Sequence, residues 1–207
     1  MTKVNKYKST IGSYKKLGKD YLKSIEKLTP AQFYIFIKKL NRGGKVLDVG
    51  CAGGRDSKKF IENGFNIIGI DLVEEFLREA RKYVPQARFC KMDLLKMNFP
   101  KNYFDGIWAS AVLLHIKRKD VFKALKGFCN VLKKGGKIFI GIKMGKGSSY
   151  SVDKLSNRKR LMVLFSENEI KELLRGVGLN IVYFKILPDD AGRKDIKWIR
   201  LIAEKPG

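Results

Sequence analysis

One segment constrains the fold of this chain most strongly: a short apolar strand, followed by a glycine-rich turn and a helix. Residues 45–56 read KVLDVGCAGGRD, in which the strand is 46–49, Asp48 lies near its end and the turn begins at Gly50. Glycine lets the backbone approach a ligand closely, because it has no Cβ. A strand, a tight turn and a helix in this order form the first half of a βαβ unit. We therefore expect an α/β fold with a parallel sheet and a ligand-binding turn after this strand.

Strand and helix patterns alternate along the rest of the chain, which favours a parallel sheet. The predicted strands are residues 46–49, 65–70, 88–92, 104–109, 137–142, 179–186 and 197–203. The predicted helices are about 20–28, 29–40, 54–62, 74–83, 119–132 and 166–175. The second and the last of these begin with capping-box patterns, TPAQ and SENE. The segment 141–157 is rich in Gly, Ser and Lys and is predicted to be a mobile loop.

Length and composition restrict the class of protein. The chain has 207 residues, of which 44% are hydrophobic, as expected for one α/β domain with a modest extension. Its charged start has no apolar signal core, and no apolar run reaches 18 residues, so we expect a cytoplasmic protein without a membrane span. Cys51, Cys90 and Cys129 form no CxxC pair and the chain has one His, so neither a disulfide framework nor a metal site is expected.

The chain is strongly basic, with 44 Lys and Arg against 20 acids and a formal net charge of +24. Such a field attracts polyanions, and RNA is the obvious candidate. A lysine-rich composition that only solvates the surface is the alternative, because no recognised RNA-binding motif accompanies the basic residues. The sequence leaves both interpretations open.

Acidic residues recur where the predicted strands end. Asp48 lies near the end of the first strand, and Asp71 and Asp93 follow the second and third. Asp71 comes roughly 20 residues after Gly50, a spacing at which an acid reaches ribose hydroxyls. If the strand order is 3-2-1-4-5, these acids line one crevice. The turn lacks the G-x-G-x-x-G and P-loop patterns of pyrophosphate sites. A cationic, nucleoside-like ligand such as S-adenosylmethionine fits this edge better.

The chain resembles the class I S-adenosylmethionine-dependent methyltransferases, particularly the small single-domain type 11 and type 25 members. The matching segments are VLDVGCAGGRDS (46–57), IGIDL (68–72), MDL (92–94), FDGIWA (104–109) and VLKKGGKIF (131–139). The resemblance implies a Rossmann-like, doubly wound, mostly parallel seven-stranded sheet with helices on both faces. It also implies a methyltransferase domain over residues 41–207, preceded by a helical lid segment over residues 1–40.

The same resemblance implies which residues contact S-adenosylmethionine. They are Tyr14, Tyr21, Asp48, Gly50, Cys51, Ala52, Gly53, Asp71, Leu72, Asp93, Leu94, Ser110 and Ala111. Among them, Asp71 would hold the ribose hydroxyls, and Asp93 with the Leu94 amide would meet the adenine edge. Tyr14 and Tyr21 resemble lid residues. The aspartates and tyrosines have structural alternatives. The aspartates are alternatively helix caps or solvated acids, and the tyrosines have the ordinary spacing of core residues on a helix.

Two positions depart from the family pattern. Ala52 replaces a glycine in the turn, which is tolerable only if its φ is negative. Val73 stands where a Ser or Thr usually caps the next helix, so we expect a weaker helix start there. Arg55 and Asp56 are expected to pair locally at the start of the helix that follows the turn.

His115 is the only histidine and follows the fourth strand, near the expected methyl position. It is a candidate general base, with a structural histidine that pins the loop as the alternative. Trp108–Ala111 (WASA) replaces an NPPY-like motif, and no Cys is placed for a covalent pyrimidine mechanism.

The sequence thus predicts a methyltransferase that acts on a small molecule, with RNA, such as tRNA, as the runner-up acceptor. A non-catalytic RNA-binding protein with the same fold is the third hypothesis. Lys143, Lys146, Lys154 and Lys159 flank the expected acceptor side, where they either bind phosphates or an acidic small molecule or are only solvated. Lys143 is the best placed of them to bind an anion.

Overall fold

A seven-stranded sheet with helices on both faces forms the centre of the molecule, in a computed structural model that describes residues 7–153 and 156–207. Its strand order is β3-β2-β1-β4-β5-β9-β8, and the first five of these strands run parallel. The strands are β1 (Lys45–Val49), β2 (Asn66–Asp71), β3 (Arg88–Lys91), β4 (Phe104–Ser110), β5 (Leu132–Lys143), β6 (Ser148–Asp153), β7 (Arg158–Val163), β8 (Asn180–Pro188) and β9 (Lys197–Glu204). The predicted Rossmann-like fold is confirmed, including the order 3-2-1-4-5.

The α-helices are α1 (Lys8–Ile25), α2 (Gln32–Ile37), α3 (Arg55–Glu62), α4 (Glu74–Tyr83), α5 (Arg118–Val131) and α6 (Glu167–Gly176). Two short 3-10 turns, Leu94–Lys96 and Leu113–His115, follow β3 and β4. Ser166 caps α6 as predicted, because its Oγ accepts from the amide of Glu169 at 3.3 Å. Within the described residues, no helix is long and apolar enough to cross a membrane.

Both faces of the sheet are buried beneath packed side chains. Neighbouring residues of each strand point to opposite sides, so each strand contributes to both faces. In β1, Val46 packs in an aromatic cluster on one face and Leu47 in the larger aliphatic cluster on the other. The aromatic cluster is centred on Trp108, whose ring stacks on Phe139 at 3.9 Å between centroids. Phe33 and Phe36, from α2, are fully buried in this aromatic cluster. Helix α2 therefore packs against the sheet and closes one face of it.

The N-terminal helices differ from their predicted bounds. Helix α1 begins at Lys8, well before residue 20, and continues through Gly18, where the backbone leaves helical geometry (φ 50°, ψ −128°). Helix α2 begins at Gln32, because Thr29 does not cap it. The Thr29 hydroxyl donates to Asp56 Oδ1 at 2.8 Å instead.

The segment 141–157, predicted as a mobile loop, contains strand β6 of a β-hairpin whose second strand, β7, follows it, so that prediction was wrong for the described residues. Strands β6 and β7 pair antiparallel from Ser148↔Val163 to Asp153↔Arg158, and residues 154–155 lie outside the described part of the chain. The hairpin packs on α1: the Leu161 amide donates to Thr10 Oγ1 at 3.0 Å, and the Ser13 and Ser156 hydroxyls lie 2.7 Å apart. Helix α1 and the hairpin together cover the carboxyl ends of the central strands.

Candidate functional site

A cavity of about 550 Å³ lies at the carboxyl ends of the parallel strands, beneath α1 and the hairpin. This volume falls in the ordinary range for a small-molecule site. The cavity is lined by nearly every residue singled out from the sequence: Tyr14, Tyr21, Asp48, Gly50, Cys51, Ala52, Asp71, Leu72, Asp93, Leu94, Ser110, Ala111 and His115. Gly53 is absent from the lining. It faces Leu22 of α1 closely enough that an added Cβ would lie 2.9 Å from the leucine Cδ1.

The turn after β1 is held in a conformation that favours glycine. Gly50 has a φ of +71°, and a Cβ at this position would lie 2.9 Å from Val112 Cγ2. Ala52 has a φ of +46°, so the expectation of a negative φ there was wrong. A non-glycine residue in the left-handed region costs about 1–2 kcal/mol. The Ala52 amide donates to Asp71 Oδ2 at 3.0 Å, which helps to hold it in this conformation.

Asp71, at the end of β2, is held in place by the backbone on both sides. Its Oδ2 accepts from Ala52, and its Oδ1 accepts from the Val73 amide at 2.9 Å. Burial raises the pKa of this carboxyl, while the amides that it accepts from act in the opposite direction. Val73 itself offers no side-chain cap to α4, as expected.

Asp48 is buried within the cavity wall, with 3% of its surface exposed. Its Oδ2 accepts a hydrogen bond of 2.6 Å from the Ser57 hydroxyl on α3. Burial, followed by the negative charge of Asp56, raises the pKa of Asp48 to about 7. This carboxyl therefore changes charge close to neutral pH, and a cation in the cavity would favour its ionised form.

Asp56 has more partners than the expected local pair. Arg55 binds it through Nε and Nη2, both at 2.7 Å, and Trp108 Nε1 donates to Oδ2 at 2.9 Å. Burial would raise the pKa of Asp56, but Arg55 holds it below its ordinary value. Arg55 Nη1 also donates to the Ile25 carbonyl at 2.8 Å. This network joins the end of α1 to the start of α3, and no sequence pattern indicates its contact with Trp108.

Asp93 begins the 3-10 turn that follows β3. Its Oδ1 accepts from the Leu95 amide at 2.9 Å, and Asp93 and Leu94 both line the cavity. The three predicted acids therefore lie along one edge of the sheet, in the order β3, β2, β1.

Tyr14, Tyr21 and His115 form the part of the cavity wall that joins α1 to the sheet. The Tyr14 and Tyr21 rings meet edge to face at 4.8 Å, and Tyr21 stacks on Phe76 at 5.5 Å. The Tyr14 hydroxyl lies 2.7 Å from His115 Nε2, and His115 Nδ1 lies 2.8 Å from the Leu161 carbonyl. Because a carbonyl only accepts, Nδ1 carries the proton and Nε2 accepts from Tyr14.

Burial lowers the pKa of His115 to about 4, and the positive charges of Arg160 and Lys143 act in the same direction. Its imidazole is therefore neutral at physiological pH. Burial also raises the pKa of Tyr14, so the Tyr14–His115 hydrogen bond joins two neutral groups.

The sequence reasoning missed several polar residues at the β5–β9 side of the cavity. They are Arg160, Asp189, Asp190, Arg193, Trp198 and Arg200. The signal for Trp198 and Arg200 was available, since an antiparallel β9 beside β5 begins at the edge where the parallel strands end. Arg160 was not found, because its strand, β7, lies between the predicted loop 141–157 and the helix predicted from residue 166, in a segment for which no element was predicted.

The comparisons with known proteins agree with this geometry. Residues 46–136 match a family model described as a methyltransferase domain. These residues are a class I S-adenosylmethionine-dependent methyltransferase domain. The predicted family is confirmed, and so is S-adenosylmethionine as the cofactor of the family.

Two curated relatives share this methyltransferase domain. Over 98 residues the chain is 34% identical to 2-methyl-6-phytyl-1,4-hydroquinone methyltransferase of Synechocystis sp., which covers 45% of this chain and 30% of the relative. Over 107 residues it is 34% identical to the mitochondrial ubiquinone biosynthesis O-methyltransferase of Homo sapiens, which covers 47% of this chain and 28% of the relative. The chain thus matches less than a third of the length of either relative.

A solved structure extends the similarity of the fold beyond the methyltransferase domain. The Burkholderia thailandensis 1,6-didemethyltoxoflavin-N1-methyltransferase, bound to 1,6-didemethyltoxoflavin and S-adenosylhomocysteine, matches 96% of this chain and 88% of its own, with a TM-score of 0.77 and 22% identity. The shared fold therefore includes the helices that precede the methyltransferase domain and the strands that follow it.

Proposed function

We propose that this protein transfers the methyl group of S-adenosylmethionine to a small-molecule acceptor bound in the same cavity. The observation that carries the proposal is the edge of the sheet beneath α1, where Asp48, Asp71 and Asp93 line one cavity with the Gly50–Ala52 turn. A cationic nucleoside needs carboxylates for its hydroxyl and amino groups and apolar walls for its base, and this edge offers both.

Individual residues fit the parts of the cofactor. The Asp71 carboxylate would accept from the two ribose hydroxyls, because each of its oxygens has a second lone pair beyond its backbone partner. Asp93 and Leu94 would meet the adenine, and the backbone from Gly50 to Ala52 would pass under the methionine part. Ionised Asp48 would offset the positive charge of the donor. Tyr14 and Tyr21 would cover the cofactor from α1.

The protein would promote the reaction mainly by alignment and by exclusion of water. When bound, the sulfonium supplies an activated methyl group and a good leaving group, so an in-line displacement needs the acceptor atom held in place more than it needs a strong base. The position of α1 and the hairpin over the cavity supports the exclusion of water, since both cover the carboxyl ends of the strands.

We assign His115 a positioning role, the structural alternative raised from the sequence. Its Nε2 lone pair already accepts from Tyr14, and its pKa of about 4 makes it a weak base at neutral pH. Through these contacts it holds α1 and the hairpin over the cavity. An acceptor atom that needs no strong base, such as an amine nitrogen or an enolate, suits such a site.

RNA is the second candidate acceptor, and the net charge of +24 favours it. The cavity beneath α1 and the hairpin, and the small molecules named for the two relatives and the Burkholderia enzyme, favour a small-molecule acceptor. Methyl transfer from labelled cofactor to cell extract, separated into RNA, protein and metabolite fractions, distinguishes the two.

Cofactor binding is tested by calorimetry with S-adenosylhomocysteine on the wild-type protein, an Asp71→Asn variant and an Asp195→Asn control. Asn loses the charge that strengthens two hydroxyl contacts, so D71N should bind at least about tenfold more weakly. Asp195 is exposed and lies outside the cavity lining, so D195N should bind like the wild type. Equal binding by D71N and wild type, or no binding by the wild type, would contradict the proposal.

A further inference from the structure

The edge of the sheet that forms the cavity is divided by charge. The β3-β2-β1 half carries the carboxylates Asp93, Asp71 and Asp48. The other half is formed by β5, β9, the β8–β9 connection and the hairpin, and its charged lining residues are Lys143, Arg160, Asp189, Asp190, Arg193 and Arg200. Four cations thus face two carboxylates on this side, which we call the basic half of the cavity.

The two carboxylates of the basic half are already engaged. Asp189 accepts from Arg193 at 2.7 and 2.8 Å and from Trp198 Nε1 at 2.8 Å. Asp190 binds Arg200, whose Nη1 also donates to Gln32 Oε1 at 2.9 Å. These pairs are built into the wall: 7% of Asp189 and 4% of Arg200 is exposed. The contact with Asp189 also fixes the indole of Trp198.

Lys143 differs from its neighbours, because its ammonium has no carboxylate partner. It ends β5, opposite Trp198 in the β5–β9 register, and is half-buried in the cavity wall. Its Nζ lies 5.9 Å from the centroid of the Trp198 ring. Among the described residues, no hydrogen bond or ion pair is made by its side chain. Burial, followed by the positive charge of Arg193, lowers its pKa.

Asp189 attracts this ammonium from a distance, but its carboxylate is bonded to Arg193 and Trp198. A half-buried cation without a directly bonded counter-charge is costly, and an anion beside it would recover that cost. The neighbouring Arg160, whose guanidinium lies 5.0 Å from the centroid of the Tyr14 ring, adds positive potential on the same side. An ammonium beside a fixed indole presents a charge and a flat apolar surface together. An aromatic acid offers the matching pair of features.

We propose that the acceptor is a small aromatic anion, whose carboxylate or phosphate group lies at Lys143 and whose ring packs on Trp198. This inference rests on the proposed function and names the substrate class for it. The acidic half of the cavity would take the cationic donor and the basic half the anionic acceptor, so that the two reactants are sorted by charge. RNA is disfavoured here because Lys143 lies inside the covered cavity and not on the open surface.

The test uses the full chain saturated with S-adenosylhomocysteine and titrated with benzoate, phenyl phosphate and the neutral analogue benzamide. Binding is followed by calorimetry and by tryptophan fluorescence, to which the cavity residue Trp198 contributes. The variants are Lys143→Met, Lys143→Arg and, as a matched control, Lys146→Met, since Lys146 is exposed and outside the cavity lining.

Wild-type protein should bind at least one of the two anions about tenfold more tightly than benzamide, and the preferred anion distinguishes carboxylate from phosphate. K143M should lose at least about tenfold of this affinity, the loss expected for a charge-assisted contact, while K143R and K146M should retain it. Because S-adenosylhomocysteine binds the acidic half, its affinity in K143M shows whether the variant is folded.

Three results would overturn the inference. They are equal binding of benzoate, phenyl phosphate and benzamide; anion binding that survives K143M; and binding of a short RNA that depends on Lys143 where the small anions do not bind. Failure of the wild type to bind S-adenosylhomocysteine would contradict the proposed function as well. Binding of S-adenosylhomocysteine without anion binding contradicts this inference alone.

Discussion

Asp48 is the residue whose charge depends most on its surroundings. With a pKa of about 7, it is largely protonated at pH 6 and largely ionised at pH 8. We therefore predict that S-adenosylmethionine binds roughly tenfold more tightly at pH 8 than at pH 6, since one pKa unit is a tenfold change in the ionised fraction. An Asp48→Asn variant should bind more weakly at pH 8 and lose this pH dependence. Calorimetry at the two pH values measures both effects, and an equal slope in wild type and variant would contradict the assignment.

The same carboxyl influences stability with the opposite sign. A raised pKa means that the folded state binds the proton more tightly than the unfolded state between about pH 4 and 7. The contribution of Asp48 to the free energy of unfolding is therefore full below this window and falls as pH rises through it. Urea unfolding of wild type and D48N at pH 5 and pH 8 should show the wild type losing more stability with rising pH.

Ala52 shows what the sequence could not reveal about the turn. Its position in the glycine-rich segment was evident, but its left-handed backbone depends on a hydrogen bond to Asp71, a residue of the next strand. We predict that Ala52→Gly raises the free energy of unfolding by roughly 0.5–1 kcal/mol, because glycine adopts positive φ without a Cβ clash. Ala80→Gly is the control: Ala80 lies inside helix α4, where glycine is less favourable than alanine, so glycine there should lower stability. Chemical denaturation measures both, and a loss of stability in A52G would contradict the prediction.

At the scale of elements, the strands and helices of the parallel sheet were predictable and the covering elements were not. Strand patterns that lead into a glycine or an acid mark β1, β2 and β3 in the sequence, through Gly50, Asp71 and Asp93. By contrast, β6 (SSYSVD) and β7 (RKRLMV) are largely polar, and they form strands because they pair with each other and pack on α1. Such pairing depends on tertiary contacts, which a local pattern does not encode.

Helix α2 provides a matched test of its role as part of the core. Phe36 is fully buried against Phe60 and Trp108, whereas Tyr34 on the same helix is 56% exposed. Phe36→Ala should therefore lower the free energy of unfolding by about 3–5 kcal/mol, and Tyr34→Ala by about 0.5 kcal/mol or less. Thermal and chemical unfolding give both values. Similar losses in the two variants would mean that α2 is only loosely packed. If Phe36 contributes as expected, α2 is part of the core, and the proposed lid role of residues 1–40 rests on α1.

At the scale of the whole molecule, the chain is strongly positive, whereas the proposed cofactor side of the cavity is negative. The chain carries +24 overall, yet Asp48, Asp71 and Asp93 gather at one edge of the sheet. This clustering could be predicted, because parallel strands end together. The basic half could not be predicted, because its arginines come from the hairpin and from the β8–β9 connection, whose positions only tertiary contacts define.

The salt dependence of binding distinguishes the positive surface charge from the buried charges of the cavity. Binding of any RNA to the basic surface should weaken steeply from 50 to 300 mM salt, because each phosphate contact releases counterions. Affinity for S-adenosylhomocysteine should change by less than about threefold over the same range, because buried charges are poorly screened. Filter binding and calorimetry provide the two curves. A salt-sensitive cofactor affinity would place the cofactor on the open surface.

The bonds between α1 and the hairpin have a consequence for access to the cavity. Thr10 and Ser13 join α1 to the hairpin, and His115 contacts both elements, through the Tyr14 hydroxyl and the Leu161 carbonyl. Four polar contacts therefore connect the two elements that cover the carboxyl ends of the strands. We expect ligand exchange to be fastest when these contacts break together, because α1 and the hairpin then separate from the sheet as a pair.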